Sequence, residues 1–228
     1  YLAGLYAMNG ILLALRDRDE SGLGQHVDIA LLDSMTSAMS LPANVLFATG
    51  DELGREGNDH HSLTPYETIE ARDGLVIVAA GNERLWHQLC EALELPALLT
   101  DDRFRTNTDR MRHRGELKRL LAERLSRMGR DEIISRLRAH AVPCGQVKSL
   151  AEALADPQLA ARDMVPELTH PELGRIRALG NPIKLSRTPA VVDRPPPALG
   201  EHTAEIEAEL AARARNARAP DDTSEEPS

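Results

Sequence analysis

Tyr66-Glu-Thr-Ile-Glu-Ala-Arg-Asp-Gly-Leu-Val-Ile-Val-Ala-Ala80 decides the fold of the middle of this chain. Two runs rich in apolar and β-branched residues flank Asp73-Gly74, and Asp-Gly between such runs is the strongest short-range signal for a β-hairpin. Downstream, Asn82 or Glu83 opens a helix whose buried face includes Leu85, Leu89 and Leu93. The spacing of apolar residues then predicts amphipathic helices over 108–127 and 131–141, the second capped by Asp131. Val142-Pro-Cys-Gly145 breaks the helical pattern, and 150–154 and 156–162 read as short helical pieces. Strand periodicity returns at 165–169, 174–179 and 183–186. Residues 66–186 therefore read as a small α+β domain.

Upstream the texture differs. Residues 1–16 form an apolar helix, and 16–24 a charged turn ending in two glycines. No Ser, Thr, Asp or Asn stands ahead of the helix to cap it, so it is expected to begin before Tyr1 and the chain to be the tail of a longer protein. Residues 25–31 alternate polar with apolar, a strand signature that puts His26 and Asp28 on one face, where a structural hydrogen bond is expected. Asp33 or Ser34 caps a further helix to about residue 48. Residues 49–65 are a polar, Gly-containing connection, longer than an ordinary turn, and connections of this length are often functional or join domains. At the far end, Pro195-Pro-Pro197 is stiff and extended. Gly200-Glu-His-Thr203 leads into a last helix to about residue 214, and the acidic stretch 215–228 is expected to be disordered.

Composition narrows the function classes. The 228 residues suit one or two domains, and 42% hydrophobic content supports a core. Aromatics are only 3%, so Leu, Ala, Val and Ile must build it. A net charge of -9 excludes a basic nucleic-acid footprint and a polybasic membrane patch. Cys90 and Cys144 lie far apart with no CxxC pair, which argues against a disulfide framework and for a reducing cytoplasm. The apolar start is shorter than the ~20 residues a membrane span needs and lacks a basic leader, so it reads as a buried helix.

Several short segments recur in a fixed order: Gly4-Leu-Tyr-Ala7 with Gly10-Ile-Leu12; Gly22-x-Gly-Gln-His-Val-Asp28; Leu31-Leu-Asp33; Gly57-Asn58 with Pro65-Tyr66; Asp73-Gly74 with Gly81-Asn82. Trp86 with Leu89-Cys90, Asp101-Asp-Arg-Phe104, Arg110 with Arg114, and Val142-Pro-Cys-Gly145 follow. Ala155-Asp-Pro157, Ser186-Arg-Thr-Pro189 and Leu199-Gly-Glu-His-Thr203 complete the series. This order resembles the class III CoA-transferases of the CaiB/BaiF type, a family that also holds formyl-CoA transferase, carnitine CoA-transferase and α-methylacyl-CoA racemase. The likeness covers about residues 1–210.

The resemblance implies an α/β fold. Residues 1–48 would be a piece of a larger nucleotide-fold-like domain, 49–65 a linker and active-site loop, and 66–186 the small α+β domain. Residues 187–214 would return to the large domain, and long linkers would join the two. It implies CoA exchange between an acyl-CoA and a carboxylic acid through an aspartyl-CoA thioester. The reacting Asp of the family directly precedes the helix matched by Tyr1-Leu-Ala-Gly-Leu-Tyr-Ala7, so no catalytic carboxylate is expected within the chain, and the chain alone is expected to be inactive. CoA and acyl-CoA would be substrates with no tightly bound cofactor. Two subunits of the family interlock, which implies a homodimer, with neither nucleic acid nor membrane as partner. A racemase-like enzyme and a catalytically dead truncated subunit are the alternative readings.

One site element falls within the chain. The family places a flexible Gly-containing loop over the reacting carboxylate, and Gly57, Asn58, Asp59 and His60, with His61 after them, occupy that place. Small residues there let backbone approach a ligand closely. Adjacent His60-His61 do not make a zinc site, because neighbouring histidines seldom converge on one ion and no further ligand pattern accompanies them. Cys144 reads as a small buried residue, Trp86 as core, and Glu201-His202 as a capping segment before the last helix. Arg110, Arg112, Arg114, Lys118 and Arg119 cluster on one helix, as a solvated face or as a contact for a CoA phosphate.

Overall fold

The computed structural model describes residues 1–216, so most of the stretch expected to be disordered lies outside the described residues. They form a mixed α and β structure in two compact units that divide between Val147 and Lys148, inside the 66–186 segment.

The first unit opens with helix α1 (Leu2–Ser21), which runs five residues further than its apolar stretch. An Arg16–Glu20 ion pair, one helical turn apart at 3.0 Å, supports the extension. Gly22, with φ 75°, ends the helix by donating to the Arg18 carbonyl at 2.8 Å. Residues 25–31 do not form a strand. Ala30 is extended (φ −91°, ψ 141°), but no strand of the described residues pairs with this segment, and both His26 and Asp28 are exposed. Helices α2 (Leu31–Ala38) and α3 (Ser40–Thr49) replace the single helix expected over 33–48. The break at Met39 follows from Pro42, whose ring would clash with the Ala38 carbonyl in a continuous helix but is tolerated in the first turn of α3. Neither Asp33 nor Ser34 caps α2; its N-cap is Ala30, and Ser34 donates back to the Ala30 carbonyl at 2.8 Å. None of α1 is buried, and apolar side chains such as Leu13 and Phe47 are 71% and 82% exposed.

Strands β1 (Tyr66–Ala71) and β2 (Gly74–Ala79) form the hairpin that the sequence predicts, with Ala71 opposite Gly74 and Arg72-Asp73 as the two-residue loop. Helix α4 (Glu83–Ala92) starts at Asn82, whose side chain accepts from the Leu85 N–H at 2.9 Å. Short 3-10 turns at Pro96–Leu99 and Asp102–Phe104 lead to α5 (Asn107–Arg112) and α6 (Arg114–Leu125), which break at His113 where one helix was expected. Helix α7 (Arg130–Ala139) follows. Gly129 occupies its N-cap position, and Asp131 sits inside the first turn, accepting from Gln146 at 2.6 Å. A third strand, β3 (Cys144–Gln146), pairs antiparallel with β2 and gives the order β1-β2-β3. The core of this unit lies entirely between Ile69 and Val142. Val76, Val78 and Ile69 of the sheet meet Trp86 and Leu89 of α4, Leu117 and Leu121 of α6 and Leu137 of α7, all 2% exposed or less. Each such side chain contributes about 1.5–3 kcal/mol through burial.

The second unit begins with α8 (Leu150–Leu154), opened by a reciprocal Ser149–Glu152 capping box, and α9 (Pro157–Ala161), capped by Asp156. Strands β4 (Glu167–His170) and β5 (Gly174–Arg177) form a separate hairpin, while 183–186 lacks strand structure. Gly180 donates to the Met164 carbonyl at 3.0 Å, and a Cβ there would lie 2.2 Å from the Asp163 carbonyl oxygen. Helix α10 (Thr203–Asn216) ends the described chain. Among the described residues no helix is long and apolar enough to cross a membrane.

Candidate functional site

The loop that enters β1 is held from beneath by one helix face. Gly57 turns the chain at φ 64°, a conformation that side chains with a Cβ resist. The space beside it is open, with no heavy atom within 4 Å of where a Cβ would stand, so the requirement is conformational. The Asp59 N–H donates to the Glu56 carbonyl at 3.1 Å, and the His60 N–H donates to the Tyr66 carbonyl at 2.9 Å, tying the loop to the start of β1. The Asp59 carboxylate accepts from Lys118 Nζ at 2.9 and 3.0 Å. Arg114 Nη2 donates to the His60 carbonyl at 2.9 Å. His60 Nδ1 accepts from the Ser62 N–H at 3.1 Å, and its ring stacks on His61 with centroids 4.6 Å apart.

The rest of the loop is fastened by α5. Asn107 donates to the Ser62 carbonyl at 2.9 Å and accepts from the Thr64 N–H at 3.2 Å. Arg110 Nε donates to the Thr64 carbonyl at 3.0 Å. Residues four apart on a helix share a face, so Arg110, Arg114 and Lys118 line up despite the break at His113. The basic cluster is therefore a solvated face only in part. Arg110 is wholly buried and Arg114 and Lys118 half-buried, all three engaged by loop or core groups, whereas Arg112 and Arg119 are exposed.

Electrostatics follow from this packing. Burial, with help from His61 and Arg114, holds the His60 imidazole below its ordinary range, which favours the neutral ring. Glu67, on the core face of β1, is pushed up first by burial and then by Asp59, against the pull of Lys118 and Arg114. Its carboxylate lies 3.5 Å from Arg114 Nε and accepts no hydrogen bond from the described residues. Burial pushes the Cys90 thiol up to about 12 and raises Cys144 as well, so neither has the thiolate character of a nucleophile. Among the described residues no three His, Cys, Asp or Glu side chains are grouped to hold a metal.

Gly57, Asn58, Asp59 and His60 thus lie together in one turn. Gly57 and Asn58 are exposed, while Asp59 and His60 are engaged by α6. The arrangement holds the left-handed Gly57 turn in place beside the stacked His60 and His61 rings, which suits close approach to a ligand. The anchors Glu67, Asn107, Arg110 and Arg114 are the part that pattern reading passes over. Glu67 carried a signal, because it is in phase with Ile69 and Ala71 on the apolar face of β1.

Comparison with known proteins shows the family of the chain. The profile of CoA-transferase family III matches residues 1–203. The succinate–glutarate CoA-transferase of Agrobacterium fabrum is 34% identical over 207 residues, covering 91% of this chain and 52% of that protein. Human succinyl-CoA:glutarate CoA-transferase is 32% identical over 89% of this chain and 46% of its own length. The acetyl-CoA:oxalate CoA-transferase of Acetobacter aceti is 32% identical over 92% of this chain and 53% of its own. The crystal structure of a CaiB/BaiF family protein from Brucella suis superimposes with a TM-score of 0.81 at 36% identity, over 92% of this chain and 54% of that one. The chain spans about half the length of the curated relatives it matches. With the family profile matching continuously from α1 to the start of α10, the chain belongs to CoA-transferase family III.

Proposed function

We propose that this chain supplies the C-terminal half of an enzyme that moves CoA between an acyl-CoA and a carboxylic acid. The observation that carries the reading is the unbroken family match over residues 1–203, alongside relatives that are each named for CoA transfer. Those relatives are named for succinate, glutarate, mesaconate and oxalate, so short dicarboxylic acids are the proposed substrates. CoA is a substrate here and no resident cofactor is invoked.

In this reading an Asp carboxylate placed directly ahead of α1 attacks the thioester carbonyl and expels CoA thiolate, leaving a mixed anhydride. The thiolate then attacks the enzyme's side of the anhydride, releasing the donor acid and forming an aspartyl-CoA thioester. The acceptor carboxylate repeats the exchange in reverse. Splitting one difficult transfer into such steps is the advantage of covalent catalysis. Gly57, Asn58, Asp59 and His60 lie over the reacting carboxylate, where the Gly57 and Asn58 N–H groups stabilise the oxyanion, the Asp59 and His60 N–H groups being used within the fold, and the loop keeps water from the anhydride. Helices α1–α3 and α10 belong to a larger nucleotide-fold domain, with 49–65 as a linker, and the enzyme works as a cytoplasmic homodimer.

The test assays exchange between succinyl-CoA and short dicarboxylates with the 228-residue chain alone and with the chain joined to a complete N-terminal half of the family. Exchange in the joined form, with a CoA adduct on the Asp ahead of α1 detected by mass spectrometry, supports the reading. Exchange by the chain alone would place the nucleophile within it, at Asp59 or Cys144. Deuterium uptake at an acyl α-carbon without CoA transfer would favour a racemase.

A further inference from the structure

Glu67 is out of place by every packing rule. It shares the core face of β1 with Ile69 and Ala71, is 1% exposed and stands opposite apolar Val78 across the hairpin. A carboxylate there is expensive to bury, and an apolar residue of similar size would pack without that penalty. Local neutrality does not demand it either. The charged groups facing it are Arg114 and Lys118 from α6 and Asp59 from the loop, with Glu56 and His60 beyond them. Glu56 and Asp59 already match the two cations.

Glu67 does have a geometric effect. The guanidinium is planar with donors in a fixed fork, so placing one nitrogen aims the others. Arg114 Nε lies 3.5 Å from Glu67, while Nη2 donates to the His60 carbonyl at 2.9 Å and lies 3.8 Å from Asp59. Nη1 faces Glu56 at 3.8 Å. We propose that Glu67 and Arg114 are a positioning pair for the 57–60 loop: the carboxylate on β1 aims the guanidinium on α6, and the guanidinium fixes the His60 carbonyl and with it the resting place of the loop. The inference rests on the reading that this loop covers the reacting centre. Protonating Glu67 removes the charge that aims Arg114, so the loop loosens on the acid side of the carboxyl's raised pKa.

The test reads loop position directly, in the 228-residue chain. Amide hydrogen exchange at His60 and tryptic cleavage at the exposed Arg55–Glu56 bond are followed as a function of pH. Glu67→Gln, Arg114→Leu and Arg114→Lys should each speed His60 exchange and Arg55 cleavage by about tenfold, the loss expected of one charge-assisted anchor. Arg112→Ala, at an exposed site, should change neither. The Glu67→Gln/Arg114→Leu double variant should be no looser than Arg114→Leu alone. Glu67→Gln should also flatten the acid-side pH dependence. Parent-like loop exchange in Glu67→Gln, or additive effects in the double variant, would overturn the proposal. If Glu67→Gln also loses protection across β1 and β2, Glu67→Met decides: loop release with those strands still protected supports the pair, and uniform loss overturns it. In the joined enzyme, loop release with unchanged kcat would sink the covering-loop reading while leaving the positioning pair intact.

Discussion

The guanidinium of Arg110, wholly buried, donates through Nε to the backbone carbonyl of Thr64 at 3.0 Å. The same side chain reaches the Phe104 carbonyl at 3.1 Å and Glu83 at 2.9 Å, and lies 5.0 Å from the centroid of Trp86. One cation thus joins the entry to β1, the 3-10 turn and α4. Arg110→Leu strands the two carbonyls and unpairs the half-exposed Glu83, and should lower stability by about 2–4 kcal/mol in urea unfolding. Arg110→Lys should recover only part, because one ammonium nitrogen cannot reproduce donors spread over Nε, Nη1 and Nη2. A loss below about 1 kcal/mol for the Leu variant would contradict this role.

Acid should weaken the same joint. Hydrogen bonds from Arg110 hold Glu83 below its ordinary value of 4.5, against an opposing effect of burial. A carboxyl depressed on folding stabilises the protein above its unfolded pKa, and that contribution is lost as pH falls through the folded value. The melting temperature should therefore drop below about pH 4.5, and Glu83→Gln should reduce the drop. Glu67, whose pKa is raised, acts in the opposite sense and favours folding at low pH. An unaltered acid limb in Glu83→Gln would argue against the assignment.

Gly180→Ala should disrupt the second unit alone. The added Cβ would meet a backbone carbonyl at 2.2 Å, which cannot turn aside as a side chain can. Overpacking of this kind destabilises by about 1–3 kcal/mol. Hydrogen exchange should quicken in β4 and β5 and stay unchanged in β1 and β2. Equal effects on both hairpins would refute it.

Gly57→Val tests the loop in the joined enzyme. Left-handed backbone disfavours a β-branched residue by about 1–2 kcal/mol. The site is otherwise open, so the strain should fall on the loop and not on the core. Turnover should fall while the melting temperature changes little. Unchanged turnover would remove the loop from the mechanism.

Residues 62–147 should fold alone. They contain the whole first-unit core from Ile69 to Val142 and the Asn107 and Arg110 anchors with their loop partners. A single cooperative transition by circular dichroism is expected. A broad, sloping melt would show dependence on the remaining chain.

Much of this fold was legible where local chemistry decides it. Asp73-Gly74 marked the hairpin, Asn82 capped α4, and the apolar spacing of α4 named Leu89 and Leu93 correctly. Reading failed where a distant partner decides. Residues 25–31 alternate like a strand, yet none of the described strands pairs with them. Residues 144–146 looked like a helix breaker and became β3 because β2 stands beside them. The order of motifs pointed to residues 57–60, but what anchors that loop was not legible. Arg110 and Arg114 read as a solvated face or a contact for a CoA phosphate, since nothing local to a helix says which of its cations will be engaged by a loop about 50 residues earlier in the sequence.

The lone tryptophan, Trp86, sits 1% exposed under the Arg110 guanidinium, in the one unit with a closed core. Its fluorescence is therefore a private signal. It reports the loss of that core, to which no residue of α1–α3 belongs. Far-ultraviolet dichroism instead averages over all the helices. Denaturation curves from the two probes should separate, and the gap between them would measure how independently the outer helices melt.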